Sequence, residues 1–139
     1  MRPSLIVTVL AIALSTPAFA QNQPPQPGTV DFTTPIVSLD GITIKDEARK
    51  TADDPTCAKC EALTAGTTVA RCLVNDDKVS PEQKPAMWFL AKRIMDSKAA
   101  TLTPEEIRVI KLCVGKMGAI AAGQIIPLVD PTFKPEAVK

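Results

Sequence analysis

The chain has 139 residues, with 16 lysines and arginines against 15 acids, no histidine and no tyrosine. Missing histidine excludes Ser-His-Asp and Cys-His nucleophile activation within the chain, His-ligated zinc and the C-x-x-C-H haem attachment. A near-neutral charge without like-charge blocks gives nothing to steer the protein toward DNA, RNA or an anionic membrane.

Residues 1–20, MRPSLIVTVLAIALSTPAFA, have Arg2, an apolar run from Leu5 to Leu14, Pro17 and a small-x-small end at Ala18-Phe19-Ala20. This is the layout of a secretory signal, expected to be cut before Gln21. The apolar run is about half the roughly 20 residues a spanning helix needs, which disfavours an uncleaved anchor. Cleavage removes Arg2, leaving 15 basic and 15 acidic residues and no net charge. The expected location is outside the cytosol, periplasmic or secreted, with no stable membrane insertion once the signal is gone.

Residues 21–34 begin QNQPPQPGTV. A Gln/Pro-rich stretch cannot build a core and is expected to be a disordered leader. The folded domain is expected over 35–130, with 131–139 as a tail. Ile36, Val37 and Leu39 precede Asp40-Gly41, and Ile42 and Ile44 follow in alternation. That pattern predicts a β-hairpin with strands at 35–39 and 42–45 and a type I′ turn. Residues 46–62 are polar, contain Pro55 and read as a loop.

A short helix is predicted over 63–74, capped by Thr64, with Val69, Cys72 and Leu73 on one face. Ser80-Pro81-Glu82-Gln83 reads as a capping box opening a second helix, whose stripe is Met87, Leu90, Ala91, Ile94 and Met95 with Trp88 beside it. Pro85 then falls near the fifth helical position, a local penalty. Thr103-Pro104-Glu105-Glu106 repeats the entry signal for a third helix, with Ile107, Ile110, Cys113, Val114 and Met117 as its stripe. The fourth segment, AIAAGQIIPLVD, is apolar nearly all round and is expected to be buried, ended or kinked by Pro127. Gly115, Ala119 and Gly123 recur every four residues. The spacing suits a tight helix crossing inside the core or, alternatively, a homodimer seam. The stretch DSKAATLT between the second and third helices lacks the oxygen ligands of a calcium loop.

The predicted fold is therefore mainly α, with one short N-terminal β-hairpin on three to four short helices in one small domain. Its expected core is Ile36, Leu39, Ile44, Val69, Leu73, Trp88, Leu90, Ala91, Ile94, Ile107, Ile110, Val114 and Ile120.

Four cysteines, Cys57, Cys60, Cys72 and Cys113, are an even number in a chain read as exported, which favours disulfides. Sequence leaves three pairings open. Cys72 and Cys113 lie on the apolar stripes of two predicted helices and can meet across their contact, which would leave Cys57 to pair locally with Cys60. The alternatives are a redox-active C-x-x-C, which should open a helix and here follows a polar loop, a four-cysteine metal site, and free buried thiols. No catalytic residue, cofactor or metal ligand set is singled out.

From Pro35 onward, the order LDGITI, LTAGTTVA, SPEQK…LA, LTPEEIRVIKLCVGK and GQ resembles a group of small proteins encoded by tailed bacteriophages and prophages. The resemblance covers about 100 residues and is carried mainly by LDG and LTPEEIRVIK…VGK. It implies a phage origin more than an activity. Two departures stand out: the signal segment, and residues 46–62, which look like a cysteine-bearing insertion. The expectation is an exported, disulfide-stabilised, non-catalytic binding or accessory protein of prophage origin whose partner is another protein. The alternatives are a thiol–disulfide oxidoreductase using Cys57 and Cys60, and a structural or assembly component of a phage particle.

Overall fold

A computed structural model describes residues 28–136. The expected signal and the start of the leader lie outside the described residues. The architecture is mainly α: helices α1 (Ala65–Asn75), α2 (Lys84–Asp96), α3 (Pro104–Val114) and α4 (Ala119–Val129), with strands β1 (Thr29–Asp31) and β2 (Ala99–Thr101). Helix α1 lies centrally, touching α2, α3 and α4.

Strands β1 and β2 form an antiparallel pair in register Thr29↔Thr101, Val30↔Ala100 and Asp31↔Ala99. Val30 and Phe32 are buried, so residues 28–34, expected within a disordered leader, belong to the folded domain, because β1 pairs with β2 and these apolar side chains pack into the core. The chain after β1 also serves as a cap for α1. Gly66 N–H donates to the Phe32 carbonyl at 2.9 Å and Ala65 N–H to that of Thr34 at 2.8 Å. These bonds satisfy helix-start donors that have no partner within the helix. A Cβ on Gly66 would stand 3.0 Å from the Phe32 oxygen, so glycine is what permits the approach.

The hairpin forms through isolated bridges rather than the strands expected over 35–39 and 42–45, and with a different turn from the one expected. Ser38 N–H donates to Ile42 and Gly41 N–H to Ser38, while Val37 bridges Thr43. Gly41 has φ +76° and Asp40 does not enter the left-handed region. The loop is therefore three residues, Leu39-Asp40-Gly41, with only its last in the left-handed conformation. Leu39 sits at the tip, 92% exposed, and is not a core residue.

Thr64 caps α1, accepting from Thr67 N–H, and Thr103 and Glu106 form a reciprocal capping box on α3. The start of α2 is corrected from Ser80 to Lys84, with residues 81–83 in a turn. That places Pro85 in the first turn, where its missing N–H costs no intrahelical bond.

The core joins Val30, Phe32, Ile36, Val69, Leu73, Leu90, Ala91, Ile94, Ile110, Val114, Ile125 and Val129, with Ile44 and Ile107 partly buried against it. Trp88 and Ile120, expected inside, are exposed. Helix α4 is apolar but buries only Ile125 and Val129, because it packs on one side alone. Pro127 stays within it on the exposed face, and the helix ends two residues later. Gly115, Ala119 and Gly123 are exposed and divided between the end of α3 and α4, so they form no tight core crossing. Gln124 on α4 holds the hairpin, accepting from Val37 N–H at 3.0 Å and donating to its carbonyl at 2.7 Å.

Candidate cysteine loop and α1–α2 groove

Residues 47–60 leave the fold and return at one neck. There Asp46 N–H donates to the Glu61 carbonyl at 2.9 Å, Leu63 N–H donates to Ile44 at 2.8 Å, and Lys45 bridges Ala62. Within the loop, a single 3₁₀ turn spans Glu47–Arg49. The Asp54 carboxylate then accepts from the backbone N–H groups of Ala58 at 2.9 Å and Lys59 at 2.8 Å. This wraps the chain through Cys57, whose φ of +59° is unusual for a residue with a side chain.

Cys57 and Cys60 are bonded, with Cα atoms 4.9 Å apart, and both are buried. The Cys57 sulfur lies 3.6 Å from the Asp46 carbonyl oxygen, and Lys45 Nζ donates to the Cys60 carbonyl at 3.1 Å. Cys72 of α1 is bonded to Cys113 of α3 across 6.0 Å between Cα atoms. Of the three pairings left open, this is the one preferred from the positions of Cys72 and Cys113 on two predicted helices, with Cys57 and Cys60 left to pair locally.

The geometry around Cys57 and Cys60 differs from that of an activated dithiol. No helix begins at Cys57, and α1 starts only at Ala65. The positive end of a helix dipole is thus not available to stabilise a thiolate there. Among the described residues no cluster of three His, Cys, Asp or Glu side chains is arranged to hold a metal.

The neck carries the strongest electrostatic feature. Asp46 is buried, and Arg71 of α1 grips its carboxylate with two parallel bonds, Nη1–Oδ1 at 2.7 Å and Nη2–Oδ2 at 2.8 Å. Arg49 adds a contact at 3.3 Å. The Arg71 guanidinium holds the Asp46 carboxyl below the usual carboxylate range, against the opposing cost of burial. Asp46 in turn fixes Arg71 and Arg49 at one side of a surface groove.

That groove, about 410 Å³, runs between α1 and α2. Its apolar lining includes Ala70, Val74, Trp88, Ala91 and Met95, and its rim carries Arg49, Arg71, Lys92 and Asp96. Val74, Trp88 and Met95 are each about half exposed (56%, 49% and 50%), and Phe89, next to Trp88, is 66% exposed. The two rings meet edge to face with centroids 5.2 Å apart. A second depression of about 460 Å³ lies between α1, α3 and the start of α2, over Leu73, Met87 and Leu90. It is edged by the ion pairs Lys116–Asp76 and Arg108–Glu105.

Sequence reasoning left three cysteine pairings open, with a preference for the two bonds observed, and placed Trp88 in the core. The signal against that was present: at about 100° per residue Trp88 lies about 110° round the helix from the centre of the stripe set by Leu90, Ala91 and Ile94. Arg71 and Asp46 carried no local signal, being 25 residues apart. Chemically, the site offers apolar contact area beside fixed guanidinium groups.

Comparison of the chain with protein-family models, with curated proteins and with solved structures found no match.

Proposed function

We propose that this chain is an exported, disulfide-stabilised, non-catalytic binding or accessory protein, of prophage origin, that acts by surface contact with a component of the cell envelope. The observation that carries the reading is the α1–α2 surface. Val74, Trp88, Phe89 and Met95 remain about half exposed or more, and Trp88 and Phe89 stand together as an exposed aromatic pair. Exposed aromatic clusters beside arginine are typical of contact surfaces. Export is supported by the signal-like first 20 residues and by two disulfides, which persist in oxidising compartments. The phage origin rests on the LDG and LTPEEIRVIK…VGK segments.

A redox role for Cys57 and Cys60 is less well supported, because the pair is buried and lies in a turn rather than at a helix start.

The test uses the disulfide-intact protein immobilised and exposed to a fractionated envelope extract. A defined component should be retained by the wild type and lost with Trp88→Ala, whose residue is half exposed and outside the core. Retention that is unchanged in Trp88→Ala, or a turnover activity with nothing retained, would overturn the reading.

A further inference from the structure

Helix α2 presents an outer face carrying two adjacent exposed aromatic rings. Trp88, Phe89 and Met95 project from it while Leu90, Ala91 and Ile94 face the core. Within α2, Lys84, Lys92 and Arg93 stand against one acid, Asp96, a local excess of two positive charges in a chain that is neutral once Arg2 is removed. Lys92 pairs with Asp96 at 2.7 Å and Arg93 with Glu106 of α3 at 2.8 Å. Lys84 at the helix start and Lys98 just past its end have no ion pair among the described residues. On the α1 side, Arg71 and Arg49 are balanced by Asp46 and Glu61. These two unpaired lysines, Lys84 and Lys98, thus flank the exposed aromatic face of α2.

Thirteen helical residues extend about 20 Å. Trp88 and Met95 also line the α1–α2 groove, while the Phe89 ring stands outside it on the open side of the helix. An exposed aromatic face flanked by lysines suits a flat, deformable apolar boundary with negative charge above it. Tryptophan and phenylalanine sit at the level of lipid headgroups, and long lysine side chains reach back to phosphates.

We propose that the outer face of α2 seats on the surface of an anionic lipid bilayer, Trp88, Phe89 and Met95 entering the headgroup boundary and Lys84 and Lys98 meeting lipid phosphates. This rests on the reading of the chain as a binding protein and names the chemistry of its partner.

Trp88 is the single tryptophan of the chain, so its fluorescence reports this surface alone. The experiment uses the disulfide-intact chain from Gln21 onward, which contains every described residue. It is mixed with vesicles of phosphatidylcholine alone or with an equal part of phosphatidylglycerol. The expected result is co-sedimentation and a blue-shifted emission with the anionic vesicles only, reversed by high salt. Phe89→Ser, at an exposed position, should weaken binding at least about ten-fold with an unchanged circular dichroism spectrum, since losing one inserted ring removes much of the apolar contact. Lys84→Glu with Lys98→Glu should do the same.

Absence of any shift with anionic vesicles overturns the inference, as does equal binding to both vesicle types. If Trp88 emission responds to an envelope protein fraction but to neither vesicle, the lipid partner is wrong and the binding reading stands. If it responds to none of these, both fall.

Discussion

Asp46 is the residue on which the cysteine loop and the groove both depend. Its carboxylate is buried while Arg71 stays 41% exposed, so the pair is half in water. Removing the carboxylate charge frees a guanidinium that can rehydrate, which keeps the cost moderate. Asp46→Asn should lower stability at neutral pH by about 1–2 kcal/mol. Because the folded-state value of Asp46 is depressed, its contribution is complete above the unfolded carboxylate value and is lost as pH falls through the folded one. Urea unfolding should therefore show the gap between wild type and Asp46→Asn closing in acid. A constant gap would show that the ionised pair is not its source. Gly66 is the second critical residue. A valine there must fit against the Phe32 backbone, which is already bonded to Gly66 N–H. Gly66→Val should cost about 2–3 kcal/mol through overpacking and loss of the helix-start contacts, read as a lower urea midpoint.

The elements show where local patterns decide structure and where they yield. The Thr103–Glu106 box is legible because all its parts lie within one turn. Ser80 offers the same letters and fails, because Pro85 is admissible only if the helix starts later, and the start at Lys84 satisfies it. The β1–β2 pair left no trace in local pattern, since each strand is three residues and its partner lies some seventy positions away. Helix α4 shows the limit of composition as a guide: its residues are apolar enough for a core, but burial also requires neighbours, and the outer side has none among the described residues. The site was legible in its sulfur chemistry, through stripes on α1 and α3. Its surface chemistry was hidden because Trp88 counts as core material by type, and only its angle on α2 places it outside.

For the whole molecule, the two disulfides are unequal. The Cys72–Cys113 bond joins positions 41 apart and ties the central helix to α3, whereas Cys57–Cys60 spans three. Loop-closure entropy alone gives about 4 kcal/mol for the long link and under about 2 for the short one. Replacing Cys72 and Cys113 by serine should therefore lower thermal stability far more than replacing Cys57 and Cys60. Equal losses would show that the short bond organises more than its own turn. Peptide mapping without reduction should recover these two linkages and no others.

The closed neck at Asp46 and Glu61 has an evolutionary reading. Two chain ends held side by side by a ladder hydrogen bond can be rejoined by a tight turn, so the stretch between them behaves as an exchangeable cassette. A lineage could trade, lengthen or discard residues 47–60 without redrawing the helices beneath. New recognition loops could then be auditioned on an unchanged scaffold.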